Sequence, residues 1–552
     1  MKRRNTMRQL QSNERGFVMI VCLGLLLMFG VLGISSVMQS RSDMDVAGNQ
    51  MRDVSALYAA EAGAEKAYAL FRQAIDATAA PPSPLPAGNF TLDRYAVDYS
   101  CESTGPAVQR NLTSGPYTGL YGLVNEYDLW GHAVGGTGVE NQVRVRMERA
   151  LIPIFQFAIF YDDQLEWHPG PPMTLSGRVH SNGDTYLGSN SGLDIDSWLT
   201  VAGRLFHGRA PGSGQALGTG AVRVRDSHGT FQNMANGDGT WLDHNDPDWL
   251  NKSTVRWGGR VQDVSHGVTR LSLPLETSND PISVIKPSAG GNADSYENKA
   301  NLKILNGQAF WQSGGGTWSD VTADMIAEGS LSTSTFYDAR EHRNVNAVNI
   351  DVSKLNASAY WPINGIVYAR QSQGAGNLMA TRLVNGSTLR AGLTVVSDNP
   401  LYSVGNYNSV NKKPAAMMAD AYTILSGAWS DAASSGALTG RVATSTTVNA
   451  AFISGNTNTG GGSYNGGVEN FPRFLEKWDT RTLTWKGSMV QLWQSVYATS
   501  AWSYGSYYTA PNRNWSFETD FLDPNKLPPG TPVVNAVVKK GWANTGAPLA
   551  GG

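Results

Sequence analysis

Between Phe17 and Met38 the chain carries no charged residue, an apolar run of 22 positions behind a leader that holds Lys2, Arg3, Arg4, Arg8 and Arg15 and ends at Gly16. At about 1.5 Å per residue, a helix of that length crosses a bilayer core of roughly 30 Å. Further on the pattern tightens. Leu57, Ala60, Ala64, Ala67 and Phe71 recur at alternating steps of three and four, which places them on one stripe of a helix and, being mostly alanine, lets another helix approach closely. One rod over 17–78 is predicted, apolar all round in front and striped behind for packing against related helices.

Three readings fit such a start. A secretory signal peptide has a shorter apolar core, about 7–15 residues, and a small-residue cleavage site after it. A plain single-span anchor is oriented by the basic residues on its cytoplasmic side. In the third, cleavage falls before the apolar run, between Gly16 and Phe17, so that one helix serves as both anchor and packing element. The small-residue stripe favours the third, because a plain anchor has no use for it.

Polarity changes again at 79–88, a proline-rich linker that cannot be helix interior. From 89 to 153 short segments alternate apolar and polar, most clearly over 142–149, the pattern of a small antiparallel sheet with one face buried. The run from Ile154 to Tyr161 is continuously apolar, as in a strand buried on both faces. Residues 174–180 then recur in looser form as 200–207, 26 residues on, and a ladder of short β segments returns over 364–492. Units this short bury their apolar faces only by stacking. The expected body is β-solenoid-like over 154–510, with a loop-rich insertion at 210–360 and an extended tail at 511–552; a β-sandwich is the alternative. The whole is an α+β chain: a long N-terminal transmembrane helix, a small antiparallel sheet, then a mainly β body.

Composition adds limits. Lys plus Arg is 43 and Asp plus Glu is 45, a formal charge of −2, which gives no basic stripe for nucleic acid. Glycine, at 61 of 552 residues, exceeds its usual share of about 7% and suits turn-rich β architecture. Cys22 sits in the apolar helix and Cys101 beyond it, so no intrachain disulfide is expected.

Candidate chemistry is sparse. Asp243, Asn245, Asp246 and Asp248 alternate oxygen donors in a loop and could hold Ca²⁺, a hard ion. That spacing lacks the glycine and final glutamate of an EF-hand loop, and the plainer reading is an Asx-turn loop. Asp338, Arg340, Glu341 and His342 read as surface ion pairs. Asp398, Asp420 and Glu469 would suit hydrolysis only if the fold brought two of them about 5–10 Å apart. With no Gly-x-Ser-x-Gly, Walker, His-Glu-x-x-His or Cys-x-x-Cys motif, enzyme activity is not expected. Segments 502–508 and 512–517 cluster aromatics that either stack on a sugar or protein ligand or cap the solenoid.

Ala47-Gly48-Asn49, Arg52-Asp53 and Ala59-Ala60-Glu61-Ala62, behind a leader ending in Gly16, resemble the N-terminal domain of PilX-type minor pilins. The resemblance covers about the first 75 residues. It implies that prepilin peptidase cuts between Gly16 and Phe17 and that the Phe17 amine is methylated. Partners would be other pilin and minor pilin subunits and the inner membrane before assembly, with the pilus or cell surface as destination and a surface or glycan ligand for the head. Major pilins carry glutamate at the fifth mature position, occupied here by Val21, which is left as a packing position. A subunit without that carboxylate resembles the PilX and GspK types of initiating or tip complexes. The competing class is a membrane-anchored envelope protein with a carbohydrate-binding or carbohydrate-active β head.

Overall fold

In the computed structural model the described residues are 5–78, 80–136, 138–275, 280–288, 291–374 and 376–545, with side chains from Gly16 onward. Residues 1–4 of the leader and 546–552 of the expected tail lie outside them.

A single helix, α1 (Asn5–Thr78), runs through leader, apolar run and stripe without a break. It stops short of Pro81 and Pro82, whose rings cannot continue a helix. Five head strands follow: β1 (Ala87–Leu92), β2 (Tyr95–Ser103), β3 (Val108–Asn111), β4 (Tyr121–Gly135) and β5 (Glu140–Pro153). They pair antiparallel in the order β1-β2-β4-β5, with β3 also on β4. In β5 the 140–147 stretch alternates half-buried and buried side chains, as its period-two pattern predicts. The buried face meets the rear of α1, where Ala56, Ala59, Ala60, Ala64, Ala67, Phe71 and Ile75 share a core with Val97, Leu129, Ala133, Val145 and Met147. Burying a ring such as Phe71 contributes about 2–3 kcal/mol.

The head has one more strand. Val533–Asn544 lies antiparallel along β5, from Val533 opposite Pro153 to Asn544 opposite Val143. The segment expected to be an extended tail is therefore structural: Asn512–Phe517 is a strand of the body and Val533–Asn544 completes the head sheet. Alternation along the last strand serves both cores, since Val534 and Ala536 join that of the body and Val537 that beneath α1. The chain between Pro153 and Val533 is consequently an insertion between two neighbouring strands of one sheet.

That insertion begins with three turns of a coil. β6 (Phe157–Tyr161), β7 (Leu165–Trp167) and β8 (Met173–Ser176) form the first, β9 (Arg178–Ser181), β10 (Thr185–Leu187) and β11 (Leu193–Asp196) the second, β12 (Leu199–Val201), β13 (Leu205–His207) and β14 (Val222–Arg225) the third. Each strand lies parallel on its counterpart in the next turn, giving three sheets. Leu165 pairs with Thr185 and Met173 with Leu193, so the repeat is 20 residues rather than the 26 that the matched 174–180 and 200–207 segments suggest. Those two segments straddle different corners; the equivalences lie in the buried strand positions, where apolar and polar side chains can alternate between turns, as in Leu165, Thr185 and Leu205.

Beyond Val261–Gln262 the chain crosses past the head, where Asn535 donates its backbone N–H to the Ser272 carbonyl at 2.8 Å. It resumes at the far end of the body and winds back through Leu302–Leu305, Ile366–Arg370, Leu393–Ser397, Ala415–Ala419, Ala451–Asn456 and Met489–Gln494, each parallel to the next. The last lies parallel on β6. Two arms thus close on the same first strand, and among the described residues their common sheet has 12 strands. The expected insertion at 210–360 is narrower than read, because Leu302–Leu305 and Arg343–Asp351 already belong to the parallel sheets. Trp167, Trp257, Trp478 and Trp485 are fully buried in the body, consistent with sheets that hide their inner faces.

Candidate functional site

The front of α1 is bare. Every side chain from Gly16 to Ala47 is exposed, Phe17 at 69% and Val21 at 43%, and the helix is long and apolar enough to cross a membrane. Beyond the helix's own backbone, no described atom lies within 4 Å of where a Cβ on Gly16 would stand, so the described body and head leave the Gly16–Phe17 bond uncovered.

The rear stripe has a different use from the one expected. Ala60, Ala64, Ala67 and Phe71 are completely buried and Leu57 half-buried, all against this chain's own head. A Cβ on Gly131 would stand 1.8 Å from the Ala60 carbonyl oxygen; the helix backbone rests directly on β4, and small residues permit that approach. The stripe therefore docks the helix to its sheet and is not open to neighbouring helices. The Arg52-Asp53 pair that carries part of the resemblance is also engaged: Tyr95 donates its hydroxyl to the Arg52 carbonyl at 2.8 Å, and Asn141 Nδ2 reaches Asp53 Oδ1 at 3.4 Å.

The acidic loop is a set of Asx turns. Asp243 accepts the backbone N–H groups of His207 at 3.0 Å and Asn245 at 2.9 Å. Asp246 accepts from the Asp248 backbone at 2.9 Å and pairs with Lys252 at 2.9 Å, and Asp248 accepts from Asn251 at 2.7 Å. With a lysine ammonium already on Asp246, the oxygens are turned to their own turn and helix rather than to a shared centre. Among the described residues no group of three or more His, Cys, Asp and Glu is placed to hold a metal ion.

Asp338, Arg340 and Glu341 are buried rather than at the surface, and of that group only His342 is exposed. Tyr402 donates to Asp338 at 2.7 Å, Arg473 to Glu341 at 2.6 Å, and the Thr499 backbone to Glu341 at 3.1 Å. Burial lifts the Asp338 carboxyl and the nearby Glu341 charge adds to it. Ion pairs at such depth leave a large penalty if one partner is lost. Asp398 pairs with Lys286 at 2.9 Å, while Asp420 accepts backbone N–H groups from Tyr497 and Ala498 at 3.1 and 3.0 Å. Of the three carboxylates weighed for hydrolysis, Glu469 lines a cleft, and neither Asp398 nor Asp420 joins it there.

That cleft, of about 920 Å³, opens at the seam where the returning arm meets the first coils. One side comes from the turns after β7 and β10 and from Arg209; the other comes from the 461–470 and 501–511 segments and the start of the Asn512–Phe517 strand. Tyr464, Trp502, Tyr504 and Tyr508 line it. The rings are held in series: Trp502 donates its indole N–H to the Tyr508 hydroxyl at 2.6 Å, which donates to Asn470 Oδ1 at 2.6 Å, and Tyr464 meets Trp502 edge-on at 5.0 Å. Behind them Arg209 pairs with the buried Glu166 at 3.2 Å and reaches the Tyr464 hydroxyl at 3.4 Å. Arg513 donates to the Glu469 carbonyl at 2.8 Å.

Glu469 is 5% exposed, and burial pushes its carboxyl up to about 7, against the pull of Arg513 and of the His168 backbone N–H. His168 is held down at about 4 by burial and by the Arg209 charge, so at neutral pH it is uncharged. Its Nε2 accepts from the Gly218 backbone at 3.0 Å, and its Nδ1 is buried without a partner among the described residues. The aromatics of this site are visible in the sequence as a cluster. His168, Glu166 and Arg209 are not, because they arrive from a different arm.

No protein-family model and no curated protein matches the sequence. Among solved structures, the competence-associated pilin ComZ from Thermus thermophilus overlaps at a TM-score of 0.32 and 11% identity, covering 90% of this chain and 98% of that chain. A score that low establishes neither a common fold nor a common role.

Proposed function

We propose that the chain is a minor subunit of a type IV pilus-like filament, anchored in the inner membrane by the front of α1 before assembly and carrying its body at the filament tip. The observation behind this reading is the contrast within one helix. Its rear is fixed to the head, and its front, uncharged from Phe17 to Met38, is exposed directly behind an accessible Gly16. A bare apolar rod of that length needs lipid or other apolar helices around it.

Two further features support a terminal place. The body hangs from one edge of the head sheet, between β5 and Val533–Asn544, so it leaves the front helix uncovered, yet its bulk would separate subunits stacked inside a shaft. Val21 supplies no carboxylate to meet the terminal amine of an adjacent subunit, the pairing that would make a buried acid tolerable. In this reading prepilin peptidase cleaves between Gly16 and Phe17, Phe17 is methylated, and the subunit serves assembly initiation or surface adhesion.

The test is mass spectrometry of the N-terminal peptide from sheared filaments and from membranes. Methylated Phe17 in the sheared fraction is expected, and Gly16→Leu should leave the leader attached. An intact Met1 confined to membranes, unaffected by that substitution, overturns the filament reading in favour of an anchored envelope protein.

A further inference from the structure

We infer that the seam cleft binds an uncharged oligosaccharide, with sugar rings lying on Trp502 and Tyr504 and hydroxyls meeting the amides and Glu469 behind them. This site stands independently of the filament reading.

Its size comes first: about 920 Å³ lies near the top of the range of small-ligand sites, roughly 300–1,000 Å³. Next, the aromatic wall is exposed where a ligand would lie, yet rigid. Tyr504 is 56% exposed, while the Trp502–Tyr508–Asn470 hydrogen-bond series fixes the indole beside it. Rings locked before binding present apolar area at little cost in entropy, and the C–H faces of a pyranose are the kind of flat, weakly apolar surface that rests on them.

Charge narrows the ligand class. The described lining holds no lysine, Arg209 is paired with Glu166 at 3.2 Å, and Arg513 spends donors on the Glu469 backbone carbonyl at 2.8 Å and on Asn470 Oδ1 at 3.1 Å. A site for phosphate or polyuronate would present cations with their donors free; here both guanidinium groups are already engaged by the protein. The polar lining points the same way. The exposed amides of Asn190, Gln215 and Asn512 line the cleft, and amides both donate and accept, as hydroxyl-rich ligands require.

The experiment is calorimetric titration of the full chain in detergent micelles with cellohexaose, chitohexaose, maltohexaose and, as an anionic control, hexagalacturonate. At least one neutral hexasaccharide is expected to bind. Trp502→Ala should weaken it at least tenfold, Trp502→Phe should restore most of the affinity, and Tyr504→Ala, at a ring 56% exposed whose aromatic contact is the edge of Tyr508, should weaken it several-fold while lowering the melting temperature little. If Trp502→Ala misfolds, Tyr504→Ala alone decides. Failure of all three neutral sugars to bind, binding of hexagalacturonate alone, or affinity untouched by removal of Tyr504 and Trp502 would each overturn the proposal.

Discussion

Head and body bury apolar surface by opposite means. In the head, long antiparallel strands pair over as many as 12 consecutive positions and one helix covers them, so a few elements carry the whole core. In the coils of the body, the strands from β7 to β13 have only three or four residues and lie parallel on their neighbours, and no turn is stable without the next. The difference shows where each is vulnerable. The head depends on single pieces, and one of them arrives only after the entire body. Truncation after Thr531 should therefore have the largest effect of any small change, because β5 loses the partner that runs along it from Pro153 to Val143. Hydrogen exchange should show β5 and the rear of α1 deprotected while the Ala415–Ala419 and Ala451–Asn456 strands stay protected. Uniform loss of protection would mean that head and body are one cooperative unit and that the contrast drawn between them is wrong.

A second, smaller blow falls on the helix contact. Gly131→Val puts a Cβ 1.8 Å from the Ala60 carbonyl oxygen and 2.6 Å from the Ala64 nitrogen, both backbone atoms that no rotamer change can move aside. Overpacking usually costs about 1–3 kcal/mol, and a backbone clash belongs at or above the top of that range. Thermal melting of the head should fall accordingly. The same substitution at Gly229, where nothing described lies near, should cost only the strain of its left-handed backbone, with φ at +90°. Equal losses at the two sites would show that the helix is not held by close approach to β4.

How much of each region is legible in the sequence follows from the same contrast. The helix is plain from Phe17 to Phe71, since charge absence and three-four spacing are local signals. What the stripe touches is not local: Gly131 lies far down the chain, so alanines that pack on their own sheet read like alanines awaiting another helix. In the body, alternation and turn residues announce short strands, but the 20-residue repeat is carried by Leu165, Thr185 and Leu205, which share little chemistry. The C-terminal strand reads as a tail because its partner, β5, is separated from it by the whole insertion. At the cleft, the aromatics from Trp502 to Tyr508 stand out as a run, whereas Glu166, His168 and Arg209 come from the opposite arm and no spacing joins them to Glu469.

In mildly acidic solution the smallest expected effect lies in the body and sharpens its side of the comparison, since stacked coils should tolerate one isosteric change at their seam. Glu469 keeps its proton up to about pH 7 when folded, against an ordinary value of 4.5. Below 4.5 the folded and unfolded chains both hold that proton, and the group does not favour either. Between 4.5 and 7 the unfolded chain releases it while the folded one retains it, so stability falls as pH rises, and above 7 the loss is complete. One unit above the ordinary value the penalty is about 1 kcal/mol, and it grows to at most about 3 kcal/mol. Glu469→Gln removes the titration while keeping shape, so its melting temperature relative to the unsubstituted protein should climb from pH 4.5 to pH 7.5 and then level off. A difference that stays constant across that window would show that burial does not hold the carboxyl neutral. A cooperative collapse of the variant at every pH would show instead that the seam is as intolerant as the contact between Gly131 and Ala60, and that the body shares the head's dependence on single residues.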